Sequence, residues 1–415
     1  MISVFTPTHN PRFLKDCADS LEAQTYKNWE WIIVFNGEAR YNGDPLPDNV
    51  RMFNAPEHVT GVGGLKSYAC SQAQGDILVE LDHDDILHPF ALEEIAKAFE
   101  ENPEASLVYS DFAQINADGT PDFNRFGPAY GWEYTIDSIG PTMYERCMSM
   151  PHFPSAMSYI WFAPNHVRAF KTETYNAVGG YNPNLDILDD QDLMNRLYRK
   201  GDFYHIDKLL YLQRVHDDNT QSKSDLNARI QIETVQLYDE NIEANVLAWA
   251  DRNGLAALDL GGAHNSPDDY VSVDLHDADL VGDVFEVLDG LEPNSVGVIR
   301  AHDFLEHISD RVRLFNSMYR VLAHGGMILS MTPSTDGRGA FQDPTHVSFY
   351  NENAFWYFTD LNLANYVPEI QCRFQSTRLY TFFPSEWHEQ NKICYVVAHL
   401  TAIKDGAKIA GVVNI

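Results

Sequence analysis

The run Leu81-Asp82-His83-Asp84-Asp85 gathers three carboxylates and an imidazole within five residues. Asp82 and Asp84 stand two apart, so on a turn both can reach one ion or the ligand it holds. Hard carboxylate oxygens of this kind suit Mg²⁺ or Mn²⁺. The same run also reads as a solvated acidic turn whose aspartate caps the next helix. Asp189, Asp190 and Asp192 form a second acidic group. Like-charge crowding there raises one carboxyl pKa and suits it to take a proton, and the three equally fit a helix N-terminus. His216, beside Asp217 and Asp218, is a metal ligand or a surface histidine. Farther on, Gly261-Gly262-Ala263 follows one apolar run and Asp274 closes the next. A glycine turn allows close backbone approach, and the acid suits ribose hydroxyls.

The elements that position these groups are legible as apolar runs. Ile77-Leu78-Val79 reads as a buried strand, which sets the three carboxylates at a strand end, where open α/β sheets bind ligands. Leu92, Ile95 and Phe99 mark the helix that follows. Upstream, Ile2–Phe5 and Trp31–Phe35 are strands and Arg51–Phe53 a weaker one. Asn10 and Pro11 open a helix as cap and first residue. Gly61–Lys66 reads as a glycine-rich turn before a helix from Ser67 to Gln74. This alternation predicts a parallel sheet covered on both faces. Between about 125 and 165 prolines interrupt the pattern and aromatics are dense, which predicts an irregular stretch that either binds an acceptor sugar or packs against a second domain. Trp161 and His166 are its first residues to test.

At 415 residues the chain is long enough for two domains, and 44% hydrophobic with 21% charged residues fits well-cored ones. The net charge of -31 disfavours nucleic acid and anionic membrane surfaces as partners. If such a chain binds an anion, a metal ion is the simplest way to reverse the local sign. The five cysteines make no C-x-x-C pair, which argues against zinc or a disulfide framework and for a reducing compartment. The opening residues lack the pattern of a signal peptide, and no apolar run reaches transmembrane length. A cytoplasmic location is expected, with any membrane association running through the acceptor.

Together, S-V-F-T-P-T-H-N from Ser3, N-W-E-W-I-I-V-F-N-G from Asn28 and G-D-I-L-V-E-L-D-H-D-D from Gly75 resemble the nucleotide-sugar half of a family 2 glycosyltransferase of GT-A fold. Val178–Tyr181, Asp189–Leu193 and Arg214-Val215-His216 are similar to its later motifs. The resemblance implies an inverting transfer of a sugar from a nucleotide diphosphate to a glycan or lipid-linked glycan. It assigns Mn²⁺ or Mg²⁺ to Asp84 and His216, donor contacts to Pro7, Asn36, Lys66 and Asp82, and the general base to Asp190. Asn36 stands where the family usually has Asp; its amide carbonyl still accepts the imide N–H of uracil, so a UDP-sugar is favoured.

The later half restarts at Gly254 after a helix expected over Asn227–Asp251. L-D-L-G-G-A from Leu258, L-E-H-I from Leu305 and Y-R-V-L-A-H-G-G-M-I-L from Tyr319 resemble a class I S-adenosylmethionine-dependent methyltransferase. Asp343-Pro344-Thr345-His346 is similar to a segment of methyltransferases from polysaccharide clusters. The resemblance implies S-adenosylmethionine at Gly261, Gly262 and Asp274, with His302 or Asp303 nearby, and O-methylation of a sugar hydroxyl with His346 as base; His307 reads as structural. Ala263 replaces a third glycine; its side chain either crowds the cofactor or is tolerated if its φ is negative. An inactive scaffold or glycan-binding module is the alternative. The expected architecture is α/β with two Rossmann-like domains: GT-A over residues 1–225, a helical linker over 226–254, and a methyltransferase fold over 255–415.

Overall fold

The central parallel strands of each sheet, such as Ile2–Thr8, Trp29–Phe35 and Ala256–Leu260, are buried runs that lead into polar or glycine-rich turns. The computed structural model describes residues 1–43, 45–123, 132–157, 165–216 and 224–405. They divide into two compact units, one of residues 1–152 and 156–241, the other of 153–155 and 242 onward.

In the first unit, β1 (Ile2–Thr8), α1 (Leu14–Glu22), β2 (Trp29–Phe35), β3 (Val50–Asn54), α2 (Gly61–Ser71) and β4 (Ile77–Glu80) alternate. Then follow β5 (Ile86–Leu87), α3 (Ala91–Glu101), β6 (Ala105–Asn116), β7 (Pro121–Asp122), β8 (Glu133–Ile139) and β9 (Thr142–Met148). β10 (Arg168–Lys171), α4 (Thr172–Ala177), α5 (Asp189–Lys200) and β11 (Asp202–Val215) complete it, and α6 (Ser224–Arg252) leads on. Asn10 caps a short 3-10 turn ahead of α1, its side chain accepting from the Arg12 N–H. The strand order is β3-β2-β1-β4-β10-β6-β11-β5. β1 to β4 are mutually parallel, but β10 runs antiparallel between β4 and β6, so the sheet is mixed rather than purely parallel.

Two local expectations change. The glycines of Gly61–Lys66 belong to α2 itself and not to a turn before it. A Cβ on Gly63 would lie 2.2 Å from the carbonyl oxygen of Asn182, so the glycines let the helix start press on that loop. The stretch expected to be irregular contains the β8–β9 hairpin, turning at Gly140 with φ +59°. Trp161 and residues 124–131 lie outside the described residues.

The second unit holds β12 (Ala256–Leu260), β13 (Val271–Asp274), β14 (Leu280–Val281), α7 (Val284–Gly290), β15 (Val296–His302), α8 (Arg311–Val321) and β16 (Leu322–Pro333). α9 (Glu352–Thr359), α10 (Leu361–Ala364), β17 (Phe374–Phe382), α11 (Glu386–Asn391) and β18 (Tyr395–Ala402) follow. Its order is β14-β13-β12-β15-β16-β18-β17, parallel except that β18 runs antiparallel to both neighbours. Phe315, stacked on Phe358 at 3.9 Å, is the centre of an aromatic group with Phe355 and Phe374 that fixes α8 and α9 to the sheet. The expected turn at His324–Gly326 is instead a stretch of β16.

Ala263 has φ +42°, so the condition under which its side chain would be tolerated, a negative φ, is not met. A side chain in the left-handed region costs about 1–2 kcal/mol. Ala263→Gly is therefore expected to stabilise the second unit by about 0.5–1 kcal/mol, after the extra chain entropy of glycine is subtracted. The midpoint of its thermal unfolding checks this; an unchanged or lower midpoint would contradict it.

Candidate active site

Glu80 ends β4 with its side chain buried at 1% exposure. A buried carboxylate needs cationic partners, and two elements supply them. Lys66 of α2 places Nζ 2.7 Å from Glu80, and Arg168 of β10 places Nε 2.9 Å from it. Each cation reaches one further carboxylate on the first turn of α5: Lys66 pairs with Asp189 at 2.9 Å and Arg168 with Asp190 at 2.8 Å. Burial alone would raise the Glu80 pKa, but Arg168 and then Lys66 hold it well below the carboxylate range. Burial raises Asp189. Burial also works against ionisation of Asp190, yet Arg168 outweighs it and lowers that pKa.

His166 stacks on Tyr211 with ring centroids 4.8 Å apart. Burial and then Arg168 lower its pKa to about 3, so the ring is neutral, and its Nε2 accepts from the Arg168 guanidinium at 2.6 Å.

A third cation shapes the acidic turn. Arg214 on β11 is 1% exposed. Its Nε donates to the Asp84 carbonyl and its backbone N–H to the Asp85 carboxylate, each at 2.7 Å, while the guanidinium pairs with Asp16 and lies 4.4 Å over Phe13. Two residues later His216 brings Nε2 to 2.8 Å from Asp84 Oδ2. Loss of hydration, then the Glu80 charge, pushes Asp82 up to about 7. Asp85 is also raised, by burial and then by Asp84 and Asp82.

One cavity of about 440 Å³ is lined by Pro7, Asn36, Lys66, Asp82, Asp84, Asp190 and His216, so every residue expected at the donor, base and metal positions meets there. The carboxylate–imidazole pair of Asp84 and His216 is a donor set that fits a hard divalent cation. Lys66 departs from its expected role. Its Nζ is committed to two buried carboxylates and positions Asp189 instead of reaching outward.

In the second unit, Gly261 and Gly262 follow β12, Asp274 ends β13, and His302 ends β15 with Asp303 after it. All lie at the carboxyl ends of parallel strands, beside the neighbouring pair β12 and β15, from which the chain continues to opposite halves of the sheet. A Cβ on Gly261 would sit 2.7 Å from the Phe304 ring, and one on Gly262 2.2 Å from Asp259 Oδ2. Asp259 is itself buried and paired with Arg300 at 3.0 Å. Burial and Arg300 lower His302 to about 4, while burial raises Asp303. A tight glycine turn beside a strand-end carboxylate fits the amino-acid and ribose ends of S-adenosylmethionine.

A family model for glycosyl transferase family 2 matches residues 3–154, and one for a methyltransferase domain matches residues 257–330. The chain joins a family 2 glycosyltransferase domain to a methyltransferase domain. It is α/β throughout, GT-A in the first unit and class I methyltransferase in the second. Chondroitin synthase of Pasteurella multocida strain Pm70 is 25% identical over 234 residues, covering 54% of this chain and 22% of that protein. Hyaluronan synthase of Pasteurella multocida is 25% identical over 233 residues, covering 54% and 21%. The chain thus spans about a fifth of the length of these two relatives. Among solved structures, S. aureus TarS 1-349 in complex with UDP-GlcNAc is 14% identical with a TM-score of 0.40, covering 61% of this chain and 71% of that one.

Sequence reasoning passed over Arg168 and quoted Glu80 and Arg214 only within motifs, assigning no role to these groups that hold the glycosyltransferase site in shape. For Glu80 the signal was present: it closes the otherwise apolar β4, and such a charge is rarely buried unpaired. Glu80→Gln leaves Lys66 and Arg168 short of their buried counter-charge and is expected to cost about 3–5 kcal/mol of the glycosyltransferase domain's stability in urea unfolding. A change below about 1 kcal/mol would contradict the network. The elevated Asp82 pKa gives a pH test. Below about 7 the carboxyl is protonated and attracts a cation less; above 7 it is ionised. Mn²⁺ affinity is expected to rise about tenfold from pH 6 to pH 8 in calorimetry, with a shallower rise in Asp82→Asn.

Proposed function

We propose that the glycosyltransferase domain moves a sugar from a nucleotide diphosphate, with UDP-sugars favoured, to a glycan hydroxyl in one inverting displacement, and that the second domain O-methylates a sugar hydroxyl. The observation that carries the first half is the meeting of Asp84 and His216 at 2.8 Å in the cavity that Asp190 also lines. A divalent cation held by that pair supplies charge neutralisation for the departing diphosphate. The chain's own residues do the rest. Pro7 shapes the base site, and Asn36 accepts from the uracil imide and donates from its amide. Asp82 serves the ribose. Asp190, kept ionised and aimed by Arg168, takes the acceptor proton as the new bond forms. The names of two relatives, a chondroitin synthase and a hyaluronan synthase, support a glycan acceptor; a lipid-linked one, met at the cytoplasmic face of a membrane, belongs to the same proposal.

For methylation, Gly261, Gly262 and Asp274 hold S-adenosylmethionine, with His302 and Asp303 beside them. His346 accepts the hydroxyl proton through Nε2, since its Nδ1 lies 3.0 Å from the Ala340 carbonyl and donates there. The left-handed Ala263 favours a second reading for this domain, a scaffold that does not bind the cofactor. Calorimetry with S-adenosylmethionine separates the two: binding that is lost in Asp274→Ala supports the enzyme, and absence of binding supports the scaffold.

A panel of nucleotide sugars, scored for release of free nucleotide diphosphate, tests the first half. Release is expected to require Mn²⁺ or Mg²⁺ and to vanish in Asp84→Ala. Asp190→Asn is expected to lower kcat by about 10²–10⁴ with nucleotide affinity unchanged. Turnover that survives chelation, or an unimpaired Asp190→Asn, would overturn the mechanism.

A further inference from the structure

Away from the glycosyltransferase cavity, Glu306, His307 and His346 converge: one ligand atom from each lies within 4.8 Å of the other two. Their outer contacts are organised as metal ligands require. His346 Nδ1 is 3.0 Å from the Ala340 carbonyl, and His307 Nδ1 is 3.3 Å from the Thr345 carbonyl. An N–H at each Nδ1 leaves Nε2 with the lone pair, the tautomer set in metal sites by a backbone or carboxylate partner. Glu306 is 2% exposed, and its Oε2 accepts from the Thr332 hydroxyl. Its Oε1 is shielded from water, accepts no hydrogen bond among the described residues and faces His346 Nε2 at 4.0 Å. That separation is too long for a hydrogen bond. A buried carboxylate oxygen left in this way is costly unless a cation completes it. The loop that carries His346 is tied to Glu306, whose carbonyl accepts from the N–H groups of Val347 and Ser348 at 2.8 and 2.9 Å.

We propose that Glu306, His307 and His346 bind a divalent transition-metal ion, with Zn²⁺ as the probe of choice. Two imidazoles and one carboxylate match that class, and three protein ligands leave a position open for an exogenous oxygen. The inference rests on the methyltransferase reading in one respect: the open position is where the acceptor hydroxyl binds, losing its proton to water as its oxygen joins the ion. His346 then serves as ligand rather than as direct base.

The test uses the full chain carrying Asp84→Ala, stripped with chelator and titrated with Zn²⁺ against a chromogenic competitor. One Zn²⁺ per chain is expected, with affinity weakened at least about 100-fold by His307→Ala and by His346→Ala. His307 is exposed, so its removal leaves the core intact, and circular dichroism with a thermal melt verifies folding of both variants. No stoichiometric Zn²⁺, or equal affinity in folded variants, would overturn the site. Either result would return His346 to the role of direct base, and S-adenosylmethionine calorimetry on the same samples would report on the methyltransferase reading separately.

Discussion

A full negative charge at Glu80, shut away from water at the end of a central strand, is the constraint on which the first domain depends. It can stay there only because Lys66 and Arg168 approach from different elements, α2 and β10. Those cations are then in place to take Asp189 and Asp190 from the start of α5. Four segments distant in sequence thus meet through one ion network, and the antiparallel insertion of β10 beside β4 brings Arg168 into it. Apolar packing alone would stabilise the sheet without specifying which side chains face the cavity.

Arg214 performs the matching task for the acidic turn. Its contacts to the Asp84 carbonyl and the Asp85 carboxylate fix the backbone that carries Asp84, and the same strand end delivers His216. The overall charge of -31 makes this local arrangement matter. A nucleotide diphosphate approaching such a chain meets repulsion, while a cation is drawn in. The resident arginines and Lys66 do little to offset it, since their charge is already absorbed by carboxylates that belong to the site.

Much of this was legible in the chain. Asp84, His216, Asp190, Pro7 and Asn36 were placed from motif order, and they line one cavity. Both sheets were visible as apolar runs. The misses share a cause: they depend on partners remote in sequence. Nothing local says that Gly61 to Gly64 begin a helix, because their smallness answers to the loop at Asn182. The direction of β10 follows from its neighbours, and the inward turn of Lys66 follows from Glu80. Ala263 shows the converse, since its positive φ opposes the local preference of a residue that carries a Cβ.

The two adjacent carboxylates at the head of α5 illustrate how such remote partners divide labour between identical side chains. Asp189 and Asp190 are adjacent in sequence and share the first turn of α5, so the helix dipole does little to distinguish them. Their cations can. Asp189 is almost wholly buried, and there burial outweighs Lys66 and raises its pKa. Asp190, which lines the same cavity, is the more exposed of the two at 26%, and Arg168 outweighs burial and lowers its pKa. When the environments of two like groups pull their pKa values apart, the acid–base assignment follows from the split. Under the proposed mechanism the ionised, more exposed Asp190 receives the proton of the incoming hydroxyl, and the buried Asp189 anchors the helix that presents it.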